Sequence, residues 1–274
     1  MGGAPEVTGL TLASSGPHVA LLGPARGVFE VIAGVRGPDR GTVRVAGVDP
    51  REGLRDGAIA SAALDPPLPP KWTAVEHASW AARLAGVDAK VARAAALASL
   101  DALGVPGGRV LKDASPVERR AIVCAGALAT EAKTLVVEDP TAGLPADAAR
   151  ALGRAFARAL GDRGLVLLAG TLPLDAPLAL AIDDALVVRA GRVVAQGAPA
   201  EIAAREKSYA VRALGDVARF VRLVEDGGGS VSGATDGAMA IDLGADLKPR
   251  DLFALAEDAR AVLVEVLPLG RAFS

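Results

Sequence analysis

The sequence predicts an α/β protein, a mainly parallel sheet covered by helices, followed by a small α+β unit. Three observations carry this. Short, fully apolar runs end in turn residues, as buried strands do. Segments with helical spacing of apolar residues alternate with those runs, the pattern of crossover-connected parallel strands. After about residue 205 the order changes to β-α-β-β-α-β.

Taken along the chain, residues 18–22 (HVALL) are a buried strand meeting a loop at Gly23-Pro24, and residues 27–35 (GVFEVIAGV) are helical. Residues 41–49 alternate apolar with polar and predict an edge strand and turn. Residues 65–70 are too rich in proline for regular structure. Residues 73–104 predict Ala-rich helices broken near Gly86-Val87-Asp88, and residues 116–129 a further helix. Residues 134–137 are a strand ending in Glu138-Asp139-Pro140, residues 146–160 an amphipathic helix, and residues 165–169 and 185–189 two more buried strands. In the last part, strands are expected at 209–213, 230–234, 238–243 and 261–267, and helices at 216–225 and 249–259. That order is the ferredoxin-like one.

Three landmarks, in order, carry a family resemblance. LLGPARGVFEVIAGVRGPDRGTVRVAGVDP (residues 21–50) has the outline of a phosphate-binding loop, a helix ending in Ala-Gly and a strand before a turn. SPVERRAIVCAGALATEAKTLVVEDPTAGL (115–144) has the spacing of a signature helix, a Walker B strand and Pro-Thr-x-Gly-Leu. DDALVVRAGRVVAQGAPAEI (183–202) has the outline of a closing hairpin and helix. Together they resemble the ATP-binding subunits of ABC transporters, over residues 5–205. PRDLFALAEDARAVLVEVLPL (249–269) resembles part of the extra C-terminal unit of subunits serving ABC-2-type exporters. The resemblance implies a P-loop NTPase-like fold with an antiparallel β subdomain and a helical subdomain at about 73–115. It implies a domain over 1–205 and a second, ferredoxin-like one over 206–274.

Residue by residue, the match to that family's chemistry fails. A phosphate loop of pattern G-x-x-x-x-G-K-[ST] rings the β-phosphate with backbone N–H groups, and its lysine and hydroxyl hold the phosphates and Mg²⁺. Here the segment is Gly23, Pro24, Ala25, Arg26, Gly27, Val28, Phe29, about four residues short, and no lysine occurs before Lys71. Arg26 is either a substitute phosphate ligand or a surface residue on a tight turn. The family's Walker B pair, Asp then Glu, is inverted to Glu138 then Asp139. These carboxylates are either vestigial catalytic groups or caps on the strand end, and the second reading is preferred. The two histidines, His18 and His77, precede that strand, and Leu172 stands in the region of the γ-phosphate histidine. Leu64-Asp65-Pro66 replaces the Mg²⁺-sensing glutamine, and Pro145 replaces the aspartate after Thr141-Ala142-Gly143-Leu144. The signature Leu-Ser-Gly-Gly-Gln is here Ala114, Ser115, Pro116, Val117, Glu118. Pro116 offers no N–H, Val117 adds bulk and Glu118 adds negative charge. S-x-x-E is also a capping box, which makes this segment a plain helix start, and Arg119 and Arg120 are expected to offset the charge of Glu118.

Composition closes off other classes. The 274 residues are 51% hydrophobic and 3% aromatic, with a formal net charge of −2, so neither a basic footprint nor a stacking surface points to nucleic acid. One cysteine, Cys124, excludes an internal disulfide framework and fits the cytosol. Residues 1–10 lack the pattern of a signal peptide. The expectation is an ATP-binding subunit that no longer hydrolyses ATP, a structural or regulatory partner in an ABC-2-type export complex. By the resemblance it lies in the cytoplasm at the inner face of the membrane, pairs with a membrane permease and a related ATPase subunit as homo- or heterodimer, and holds no resident metal or cofactor. Two alternatives stand beside it. One is a divergent active ATPase with ATP and Mg²⁺, using Arg26, Glu138 and Asp139. The other is a scaffold or binding module in a cell-envelope or motility complex.

Overall fold

The computed structural model describes residues 11–14, 16–23, 26–174, 176–189, 191–204, 207–235 and 238–269. Pro24, Ala25 and the 205/206 boundary lie outside the described residues.

The first sheet has six strands in the order β2-β3-β4-β1-β5-β6: β1 (His18–Leu22), β2 (Ile59–Ala62), β3 (Thr134–Glu138), β4 (Gly164–Ala169), β5 (Asp184–Arg189) and β6 (Arg192–Gly197). All neighbours are parallel except β5 and β6, which form a hairpin. The parallel strands are apolar on both faces because both are covered. Leu22, Val137, Leu167 and Val187 enter the larger core, while Leu21, Val136, Leu168 and Leu186 enter a second core with Phe29, Ile32 and Ala33. The alternation follows the two-residue period of a strand.

Among the described residues, α1 (Arg26–Ile32), α2 (Pro50–Arg55), α3 (Ala74–Leu84), α4 (Ala89–Ala102) and α5 (Pro116–Leu128) precede β3, and α6 (Ala146–Leu160) follows it. Helix α3 starts at a complete Thr73–Glu76 capping box and α4 at the Asp88 side chain, which is why the Gly86-Val87-Asp88 break separates two helices. Residues Ala121 to Leu128 of α5 are all buried, so this helix is apolar nearly all round and forms the centre of the larger core. At the end of α1, Gly34 has φ +75°, and a Cβ there would collide with the Pro50 carbonyl that opens α2. The Ala-Gly landmark is therefore a requirement of close packing between the two helices.

The last part adds α7 (Pro199–Ala204), β7 (Ser208–Gly215), α8 (Val217–Asp226), β8 (Ser230–Thr235), β9 (Ala238–Asp242), α9 (Asp251–Ala259) and β10 (Ala261–Pro268). Its antiparallel sheet runs β10-β7-β9-β8, so the first strand lies between the third and the fourth. Phe220 and Val224 of α8 and Leu252 and Ala256 of α9 cover one face, forming a third core with Val211, Met239 and Ile241.

Two expectations are corrected. Residues 41–49 do not form an edge strand. They hold one bridge, Val45 to Val48, across Ala46 (φ +50°) and Gly47 (φ +81°). Two consecutive positive φ values make a two-residue turn that folds the stretch back on itself before a strand can extend. The structure adds β2, whose sequence IASA carries little strand propensity. It is held as the edge by parallel pairing with β3, from Ile59 opposite Thr134 to Ala62 opposite Val137.

Candidate functional site

In an open parallel sheet, ligands bind beyond the carboxyl ends of the strands. Four strand ends meet here. Gly23 follows β1 and its N–H donates to the Ala169 carbonyl at the end of β4 (3.0 Å). Asp139 follows β3 and its N–H donates to Leu168 O (2.8 Å). Gly170 to Leu172 follow β4, and Arg189 closes β5.

Between Leu22, the last residue of β1, and Arg26, the first of α1, stand only residues 23–25. The helix begins where a phosphate loop of the G-x-x-x-x-G-K-[ST] type would still be turning. Gly23 has φ +103°, which favours glycine, and its open face is filled: a Cβ placed there would collide with Arg189 Nη1 and meet the Val188 carbonyl at 2.5 Å. The Arg189 guanidinium donates to that same Val188 O (3.0 Å), and its Nε is buried with no hydrogen-bond partner. Burial pulls the Arg189 pKa below its ordinary value, and the negative charge of Glu265 on β10 pulls the other way. Phe29 is 4% exposed in the second core, Gly27 and Val28 are half-buried, and all three belong to α1.

Both carboxylates of the inverted pair have structural partners. Glu138 Oε2 accepts the Leu64 N–H at 2.9 Å, tying the end of β3 to the segment after β2. Asp139 Oδ2 accepts the Gly170 N–H (3.4 Å), and Oδ1 the Thr141 hydroxyl (3.5 Å). Asp139 also has φ +26°, in the left-handed region, which aspartate tolerates better than most residues. Burial raises its pKa above the ordinary value, against the lowering effect of the bonds from Gly170 and Thr141 and of the Ala142 N–H. Leu172, in the place expected of a γ-phosphate histidine, is 3% exposed and belongs to the larger core.

Ser115, Pro116, Val117 and Glu118 start α5. Glu118 N–H donates to Ser115 Oγ (3.3 Å), and Ser115 N–H donates to Glu118 Oε2 (2.8 Å), so both arms of the capping box are present. Arg109 Nε lies 2.7 Å from Glu118 Oε1, off the line of a good hydrogen bond. The Ser115 N–H, first, and Arg109, later, hold the Glu118 carboxyl below its ordinary value, against burial, which raises it. The expectation that Arg119 and Arg120 offset Glu118 is thus corrected: Arg109 does so, while Arg119 and Arg120 sit 3.9 and 4.0 Å from Asp65 Oδ1. Leu64 and Asp65 therefore join the two groups of site residues, one bonded to the β3 carboxylate and the other facing the first turns of α5. Sequence reasoning missed Arg189 and the Leu64 N–H. The first had a signal in an arginine at a strand end. The second is a backbone donor with no signature.

Over 283 aligned residues the chain is 30% identical to the sulfate/thiosulfate import ATP-binding protein CysA of Burkholderia mallei, covering 93% of this chain and 79% of that protein. The chain belongs to the ABC transporter ATP-binding subunits. It is 28% identical over 226 residues to the sulfate/thiosulfate import ATP-binding protein CysA 2 of Agrobacterium fabrum, an alignment covering 78% of this chain and 65% of that protein. Among solved structures, cbiO1 from Clostridium perfringens has a TM-score of 0.57 at 22% identity, over 68% of this chain and 79% of that one. An ATP-binding subunit of an ABC transporter has a TM-score of 0.57 at 19% identity, over 69% and 81%. At those identities the likeness is one of fold. The chain matches no protein-family model.

ATP with Mg²⁺, the ligand this family implies, does not fit the described residues. Arg189 lies against Gly23 where a Cβ would stand, only three residues separate β1 from α1, and both strand-end carboxylates are bonded within the protein.

Two outcomes follow. Gly23→Ala is expected to lower stability by roughly 1–3 kcal/mol from backbone strain alone, and more through the contact with Arg189. In thermal melts, adding Arg189→Ala should recover the part due to the guanidinium and leave the backbone strain and the contact with the Val188 carbonyl. Asp139→Asn tests the burial of a charge. With the folded pKa raised, wild type is favoured below the ordinary value of 3.8 and loses that contribution as pH rises through the folded value. The variant should be at least as stable as wild type at pH 8, and its advantage should shrink as pH falls toward 4.

Proposed function

We propose that this subunit has kept the fold of an ABC ATP-binding protein while losing its hydrolytic chemistry, and serves as a structural or regulatory partner in a transport complex. The observation that carries this is the three-residue link from β1 to α1, with Arg189 against Gly23. A triphosphate needs a ring of backbone N–H groups and a lysine at that place. The chain has no lysine before residue 71, and only three residues separate β1 from α1. The bonded states of Glu138 and Asp139 support the same reading. A general base in this position must be free to face water, and such a base contributes typically 10²–10⁴-fold in rate. Pro116 and Val117, in a closed capping box, leave the head of α5 with neither the glycines nor the N–H that contact with a partner's nucleotide needs.

The partners in this reading are a membrane permease and a related ATPase subunit, with the chain peripheral at the inner membrane face. Among the described residues no helix is long and apolar enough to cross a membrane. The names of the relatives speak of import, and cbiO1 is described as part of the transporter complex cbiONQ. The export assignment rests on the second unit, residues 206–274, whose β10-β7-β9-β8 order is that of the ferredoxin-like unit the sequence predicts. The domain over 1–205, with its helical subdomain at about 73–115, would then be the part that pairs with the ATPase subunit and the permease.

Purified full-length chain, assayed for phosphate release with Mg-ATP, should turn over no faster than a no-enzyme blank, and Glu138→Gln and Asp139→Asn should leave that rate unchanged. Turnover well above the blank that falls in either variant would overturn the proposal.

A further inference from the structure

The sequence holds two histidines, His18 and His77, and their surroundings differ. His18, at the start of β1, has an oxygen beside each ring nitrogen: Arg163 O lies 3.0 Å from Nε2 and Asp183 Oδ2 lies 3.7 Å from Nδ1. His77 stands in the first half of α3, which packs against both α4 and α5. A Cβ on Gly126 of α5 would stand 3.5 Å from Ala81 Cβ and 3.9 Å from His77 Nε2, so the His77 and Ala81 row of α3 lies against that glycine. His77 Nδ1 is buried with no hydrogen-bond partner among the described residues.

Among the described residues no carboxylate lies within 4.0 Å of the His77 ring nitrogens. On α3 itself, Glu76 is held by Thr73 in the capping box and Arg83 is exposed. On α4, Lys90, Arg93 and Asp101 are exposed, while Ala92, Ala96 and Leu100 form the buried side. At the head of α5, Glu118 pairs with Arg109, and Arg119 and Arg120 sit toward Asp65. The buried part of α5, Ala121 to Leu128, carries one titratable group, the Cys124 thiol, which burial pushes up to about 12 and so keeps neutral. Burial draws the His77 pKa below its ordinary 6.5.

We propose that His77 is an acid-sensitive switch in the seating of α3 on α5. An imidazolium carries an N–H at both ring nitrogens. On His77 that charge would stand against α5 with no acceptor at Nδ1, and burying an unpaired charge is costly. The cost is avoided when α3 moves off α5 and water reaches the ring. Because the folded value lies below 6.5, the packed state is fully favoured above about pH 6.5 and loses that advantage as pH falls below it, until the folded value is passed. In that window one proton shifts the opening equilibrium by up to about tenfold per pH unit. Histidine is the side chain whose charge ordinarily changes in mild acid, and the only other one, His18, has oxygens beside its ring. Helices α3 and α4 lie in the segment to which the proposed function gives partner contacts, so acid would loosen the support of that segment. The switch itself does not rest on that reading.

The test titrates the full-length chain, with ¹⁵N-labelled histidine rings, by NMR between about pH 8 and pH 5. The signal lost in His77→Gln identifies the ring, and its midpoint is expected below 6.5. Hydrogen exchange, corrected for its intrinsic pH dependence, is then compared at the two ends of the range. Amides of α3 and of Ala121 to Leu128 should lose protection in acid while those of β4 keep theirs, and His77→Gln and His77→Leu should remove most of that loss. A midpoint at or above 6.5, an equal fall of protection in α3 and β4, or the same acid loss in wild type and both variants would each overturn the proposal. Should neither variant fold, the wild-type titration and exchange decide it, with the ring assigned by its contacts to Ala81.

Discussion

Three residues connect β1 to α1, and that short link fixes where the chain leaves the carboxyl edge of the sheet. A longer loop would have to leave the sheet, curve around an anion and return. Here α1 begins at Arg26. Phe29 and Ile32 then drop into the second core against β1, β3 and β5, and Gly34 brings the end of α1 against the start of α2. The local folding gain is plain: a packed helix with a tight entry.

The charges at the strand ends have partners within the protein. Glu138 takes a backbone N–H from Leu64, Asp139 takes Gly170 and Thr141, Glu118 closes the cap of α5 and pairs with Arg109, and Asp65 faces Arg119 and Arg120. Buried polar groups need such partners, since leaving one unpaired costs about 1–3 kcal/mol. These bonds hold the segment after β2 between the end of β3 and the head of α5. The raised pKa of Asp139 shows that satisfaction is incomplete there: its bonds do not fully offset burial.

Much of the fold was legible because periodicity and breakers agree. The apolar runs of β1, β3, β4 and β5 are bounded by glycine or proline, and the capping residues Thr73, Asp88 and Ser115 mark helix starts that the structure keeps. What was not legible depends on tertiary context. The Ile59–Ala62 segment is a strand only because β3 offers it an edge, and residues 41–49 alternate like a strand but turn at Ala46-Gly47. At the site, the lack of a lysine before Lys71 is read from the sequence without an alignment. Replacements are not. That Arg189 fills the space at Gly23, and that Arg109 rather than Arg119 or Arg120 pairs with Glu118, follows from strand register and helix placement, which residue spacing does not encode.

The most direct measurement is a calorimetric titration of the full-length chain with Mg-ATP. The account predicts no saturable heat up to millimolar nucleotide, because no row of N–H groups and no lysine is available to hold the phosphates. A stoichiometric binding curve, abolished by a substitution in residues 23–29, would contradict it.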